Sequence, residues 1–195
     1  MKYINQLDYP HIPYNHNMAH GGPPEGRTTV KTSGCGLCCA CMVVDQLTEQ
    51  ALPVEECVAL SEQNGANLEI GTTMRVLGEV VAKKFDLDFS CTNDIRRAIA
   101  HLKKGGRVIA LVGGDREDYV GLFTKRGHFI LLLSFDGEEF CILDPSYTPT
   151  KFDAPGREGR VRVKYPFVYC SKEELVLAAK EKAKTGRYYL FSNKK

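Results

Sequence analysis

From Cys35 to Leu47 the chain runs through Leu37, Ala40, Met42, Val43, Val44 and Leu47 with scarcely a polar interruption. Apolar residues on every side of a helical period predict a helix buried all round, so the rest of the chain must wrap that segment. Thr32, Ser33 and Gly34 stand directly before it, a cap and a flexible joint where the chain turns inward. Upstream, residues 1–34 hold Pro10, Pro13, Gly21, Gly22, Pro23, Pro24 and Gly26, a density of breakers that predicts an irregular surface arm.

Downstream, the pattern predicts three more helices, over 53–61 with Pro53 in the first turn, 73–85, and 94–103 ended by Gly105. It then changes to strands at 108–112, 129–135 and 140–143, with Asp136 and Gly137 as a tight turn between the last two. A further strand at 161–163, a helix over 171–184 opened by Ser171 with Glu174 three residues on, and a closing strand at 188–191 complete the chain. Helices first and strands later indicate an α+β fold. The 195 residues, 43% of them hydrophobic, suffice for one core, and no repeat, low-complexity tract or linker divides them. The reading is therefore a single domain over 1–195, with an arm (1–34), a helical half (35–105) and a mainly β half with a late helix (106–195).

A formal charge of +2, from 26 basic and 24 acidic residues, gives no strong field to collect nucleic acid or a membrane surface, so a partner must be recognised by a local site. The basic runs at 157–164 and 180–184 read as solvated faces. The residues after Met1 do not resemble a secretory leader and no stretch has membrane-spanning length, which predicts a soluble, cytoplasmic chain. Of eight cysteines, four crowd into Cys35, Cys38, Cys39 and Cys41; near neighbours on one helix seldom meet disulfide geometry, so reduced thiols are expected.

Cys35 stands at the predicted helix start, where unpaired N–H groups and the helix dipole favour a thiolate, and flanking Gly34 and Gly36 would open access to the sulfur. Position alone leaves a small buried thiol equally open. A nucleophilic thiol needs an imidazole partner, and five histidines compete. His101 lies in a cationic helix and is expected to face solvent. His11, His16 and His20 sit in the arm, as a loose metal site or a polar loop. His128 differs, following Gly127 and leading into Phe129, Ile130, Leu131, Leu132 and Leu133, so its ring sits at the mouth of a buried strand and requires a partner. The hairpin offers Asp144: His128 lies 8 residues before Asp136 and Asp144 lies 7 after Gly137, nearly opposite. Asp144 before Pro145 can equally open a turn.

Ser33-Gly34-Cys35-Gly36, Gly71-Thr72, Gly105-Gly106-Arg107-Val108-Ile109, Gly127-His128-Phe129 and Asp144-Pro145 occur in that order. Together they resemble the bacteriocin-processing (double-glycine leader) peptidase-like branch of the papain-like cysteine peptidases, from about Tyr3 to Pro145 and weakly beyond. The resemblance implies a papain-like fold, with the helix carrying the nucleophile packed on a C-terminal antiparallel sheet. It also implies a cysteine hydrolase that cleaves peptide or amide bonds through an acyl-enzyme without a cofactor. Cys35 would be the nucleophile, His128 the base, Asp144 its orienting group, and Gln6, in Tyr3-Ile4-Asn5-Gln6-Leu7-Asp8, the oxyanion donor beside the Cys35 N–H. Where the family has Pro, Thr and Ser after Gly-Cys-Gly, this chain has Leu37, Cys38 and Cys39, which adds thiols to the nucleophile's own helix face. Three other readings stay open: acyl or peptidyl transfer by the same residues, a metal- or thiol-binding module on the Cys35–Cys41 cluster, and a silent relative that binds peptides.

Overall fold

A computed structural model describes residues 1–14, 28–67, 71–179 and 187–194. After a 3-10 turn at Gln6–Asp8 come helices α1 (Val30–Ser33), α2 (Cys35–Leu47), α3 (Val54–Gln63) and α4 (Met74–Lys84), then strand β1 (Leu87–Thr92) and helix α5 (Ile95–Lys103). Strands β2 (Arg107–Val112), β3 (His128–Phe135), β4 (Glu139–Leu143), β5 (Arg162–Lys164) and β6 (Phe167–Ser171) follow, then helix α6 (Lys172–Ala179) and strand β7 (Tyr188–Asn193). The strands form one antiparallel sheet in the order β1-β7-β2-β3-β4-β6-β5.

The sheet lies between two helical layers. On one face α2, α3 and α4 pack against Ile109, Leu131, Leu143 and Phe191, and on the other Ala98, Leu102, Leu175 and Ala178 of α5 and α6 pack against Val108, Ile130, Leu132 and Ile142. Because both faces are covered, β2 and β3 read as continuous apolar runs with little alternation. Helix α2 is buried from Gly36 through Val44. Each large apolar side chain there contributes about 1.5–3 kcal/mol of burial, so this helix supplies a large part of what holds the core together.

Two strands escape the sequence pattern. β1 lies inside the expected helical half, an edge strand in which only Leu87 and Thr92 are buried, and its pairing with β7 joins the two halves into one sheet. β6 lies between β4 and β5, and the strand expected at 161–163 is the edge strand β5, exposed along its length. The late helix is opened as expected, its Glu174 N–H donating to Ser171 Oγ at 3.2 Å.

His101 does not face solvent: its Nε2 lies 2.8 Å from the Phe191 carbonyl, and its ring fills the space beside Gly106. The run 157–164 is only partly a solvated face, since Arg157 is buried and Arg160 binds Glu174 at 2.6 Å. His16, His20 and the run 180–184 lie outside the described residues. All eight cysteines are free thiols. Among the described residues no helix is long and apolar enough to cross a membrane.

Candidate active site

Gly34 ends α1 and begins α2, and the chain turns there so tightly that a Cβ would come within 2.6 Å of the Val30 carbonyl oxygen. At Gly36 a Cβ would lie 2.9 Å from Thr72 Cβ and 3.1 Å from Met74 Cε and Phe129 Cδ2. The two glycines therefore answer to the protein's own packing, which seats the start of α2 against the 71–74 segment and β3. Thr32 and Ser33 belong to α1, where the Thr29 N–H donates to Thr32 Oγ1 at 3.0 Å, and no side chain caps α2. The first turn of α2 thus keeps N–H groups for an anion.

Cys35 is half-buried at this uncapped end, whereas Cys38, Cys39 and Cys41 are buried. Burial pushes the Cys35 thiol up, but a hydrogen bond to His128, the His128 charge and the Phe129 and Gly36 N–H groups outweigh it, and the net shift is downward. Burial drives Cys38 and Cys39 well up, and a bond to Cys57 together with burial does the same for Cys41. One thiol of the four is set to ionise.

His128 opens β3 beside Cys35. Its Nε2 lies 2.8 Å from Asp144 Oδ1, which leaves Nδ1 as the ring nitrogen for the sulfur. Burial disfavours the imidazolium, yet the charge and hydrogen bond of Asp144 and the contact with Cys35 raise its pKa overall. Asp144 is fully buried, and although burial alone would raise its carboxyl, the charges of Lys151 and His128 hold it far below the usual range.

The pairing is not directly cross-strand. The hairpin loop is longer than Asp136-Gly137, with Asp136 Oδ1 accepting from the Glu138 and Glu139 N–H groups and Phe135 facing Phe140. A bulge between Leu132 and Ser134 then shifts the ladder so that Leu131 faces Leu143. Asp144 continues that register opposite Ile130, one diagonal step from His128, within reach of an imidazole. The carboxylate that meets His128 also opens a turn, its Oδ1 accepting from the Ser146 N–H at 2.9 Å.

Two residues that the sequence does not single out complete the cluster. Ser146 Oγ lies 3.1 Å from His128 Nε2 and 3.2 Å from Asp144 Oδ1. Lys151 Nζ donates to Asp144 Oδ2 at 2.5 Å and to Ser146 Oγ at 2.6 Å. Lys151 sits in an irregular stretch whose path no periodicity reveals; the only hint is that a buried carboxylate on a strand end calls for more than one partner.

Gln6 is buried at the start of its 3-10 turn. Its backbone N–H donates to the Pro145 carbonyl at 2.7 Å, Tyr3 Oη to the Asp144 carbonyl at 2.6 Å, and Asn5 Nδ2 to the Tyr147 carbonyl at 2.8 Å. Its side-chain Nε2 donates to the Lys31 carbonyl at 2.7 Å, and Oε1 is buried with no partner. The arm thus stitches the Asp144 turn to the segment leading into Cys35 and sets the Gln6 amide between them.

Among the described residues no group of three or more His, Cys, Asp or Glu could hold a metal, so the Cys35–Cys41 cluster offers no converging ligand set. By sequence, no family model and no curated protein matches the chain. Among solved structures, one of a Bacillus anthracis protein described as a candidate C39-like peptidase aligns with a TM-score of 0.57, at 12% identity, over 100% of this chain and 99% of that one. The chain thus shares the papain-like α+β fold of that peptidase-like structure, with the Cys35 helix packed on the antiparallel sheet.

Proposed function

We propose that this protein is a cysteine-dependent hydrolase that cleaves peptide or amide bonds through an acyl-enzyme. The observation that carries the reading is an imidazole held at 2.8 Å by a buried carboxylate and interacting with a half-buried thiol on an uncapped helix start, whose pKa it lowers. The likeness to a peptidase-like structure and the ordered motifs support it, and we extend it to the bacteriocin-processing-peptidase-like branch.

The Cys35 thiolate attacks the scissile carbonyl carbon, and the carbonyl oxygen gains the negative charge. The backbone N–H of Cys35 and the second N–H of Gln6 Nε2 receive that charge, while Lys31 holds the first. The His128 imidazolium protonates the leaving amine as the C–N bond breaks, leaving a thioester on Cys35. His128, now neutral, takes a proton from water as it attacks the thioester, and the thiolate leaves. Asp144 stays ionised throughout and keeps the ring aligned.

Peptide-library profiling of the wild type against Cys35→Ala tests this. Cleavage by the wild type alone is expected, with free carboxyl ends and a preferred flanking sequence. Products that instead carry an added amine acceptor identify acyl transfer, and an uncut library sinks the hydrolase reading.

A further inference from the structure

Lys151 is the least expected member of the cluster. Its side chain is 9% exposed, and its ammonium is spent on Asp144 Oδ2, Ser146 Oγ and, at 3.4 Å, the Ser146 carbonyl. A lysine buried to this degree is costly unless it is paired, and the group it pairs with is the one that holds His128. The two oxygens of Asp144 are divided, Oδ1 to His128 and Oδ2 to Lys151. Ser146 Oγ touches both nitrogens, which keeps the ammonium and the imidazole within about 6 Å of each other, the range in which charges couple strongly.

We infer that Lys151 is a positioning residue, whose ammonium fixes the Asp144 carboxylate and the Ser146 hydroxyl in the orientation that aligns His128 and whose charge limits how tightly the imidazolium keeps its proton. This deepens the Cys35–His128 reading and rests on it. A buried carboxylate with no counter-charge would hold the imidazolium proton more tightly, and proton delivery to a leaving amine would suffer. With Lys151 opposite, Asp144 orients the ring strongly and attracts its proton only in part.

Among the described residues, the titratable groups that act most strongly on this pair are few. Around Asp144 stand His128, Lys151, Tyr3 and Cys39. Tyr3 and Cys39 are pushed up chiefly by burial and stay neutral through the working range. Around His128 stand Asp144 and Cys35. Lys151 is thus the only cation beside the imidazole among these groups.

The experiment is an NMR titration of the His128 ring, assigned by its loss in His128→Ala, in the wild type, Lys151→Met and Lys151→Arg. At this separation and an effective dielectric of roughly 20–40, Lys151→Met should raise the His128 midpoint by about one to two pH units, whereas Lys151→Arg should leave it within about 0.3 unit. A merely structural lysine predicts lower stability with the midpoint unmoved. An unmoved or lowered midpoint in folded Lys151→Met overturns the inference, as does an equal shift in Lys151→Arg. If Lys151→Met does not fold, Lys151→Gln keeps a polar tip without the charge and is read by the same criterion. The underlying ion-pair reading has its own control: Cys35→Ala should lower the His128 midpoint. Failure there removes the Cys35–His128 pair while leaving the Lys151 result to be read.

Discussion

Replacing Asp144 by asparagine keeps the size of the side chain and removes its charge. Asp144 is 0% exposed and its carboxylate takes four contacts, from His128 Nε2 at 2.8 Å, Ser146 N at 2.9 Å, Ser146 Oγ at 3.2 Å and Lys151 Nζ at 2.5 Å. Asparagine turns one acceptor into a donor facing the His128 N–H or the ammonium and leaves Lys151 buried without a counter-charge. Breaking a buried pair in this way costs about 3–5 kcal/mol, or roughly 6–20 °C in Tm for a domain of this size. Lys151→Met alone should cost a comparable amount. The double variant, with neither charge, should be more stable than the sum of the single losses by about 2 kcal/mol or more. Urea unfolding at pH 7, followed by circular dichroism, reads all four proteins. The folded carboxyl is depressed, so its contribution is complete above the unfolded value of about 3.9 and is lost as pH falls through the folded one; the gap to Asp144→Asn should persist at about pH 5. A loss under about 1 kcal/mol for Asp144→Asn, or strict additivity in the double variant, refutes the buried-pair reasoning.

Activity should follow a bell in pH. The Cys35 value is lowered, so its thiolate is lost as pH falls through it, and the His128 value is raised, so its imidazolium is lost as pH rises through it; a flat profile of kcat/KM contradicts the ion pair. Gln6→Ala should lower kcat about 10²–10³-fold with little change in the alkylation rate of Cys35, and equal losses in both would assign Gln6 to scaffolding. Gly36→Ala gains about 1 kcal/mol of helix propensity but meets Thr72, Met74 and Phe129 at 2.9–3.1 Å, and overpacking of about 1–3 kcal/mol should leave the protein less stable; a rise in Tm would show that those neighbours yield.

The buried helix after Cys35 was legible because an unbroken apolar run admits few outcomes, and the central strands because both their faces are covered. Strand β1 was not, since an edge strand reading Leu87, Asp88, Phe89, Ser90, Cys91, Thr92 lacks a clean apolar period, and its partner β7 lies about a hundred residues away. Arm lengths brought His128 and Asp144 together although the register assumed was wrong: a longer loop and a bulge shift the ladder, and the imidazole spans the diagonal that results. Nothing local marked Lys151, which reaches Asp144 from an irregular turn. Gln6 could be named only through the family likeness, because the hydrogen bonds of the arm to Pro145, Tyr147 and Lys31 cross sequence distances that spacing cannot bridge.

Alkylation of Cys35 by iodoacetamide at about pH 6, mapped peptide by peptide, bears most directly on the thiol. Free cysteine is only about 0.3% thiolate there. Allowing for the lower nucleophilicity of a low-pKa thiolate, Cys35 should react at least about tenfold faster than free cysteine, with Cys38, Cys39 and Cys41 unmodified. His128→Ala should abolish that excess. A Cys35 that reacts no faster than free cysteine, or as fast without His128 as with it, contradicts an activated thiolate at the head of α2.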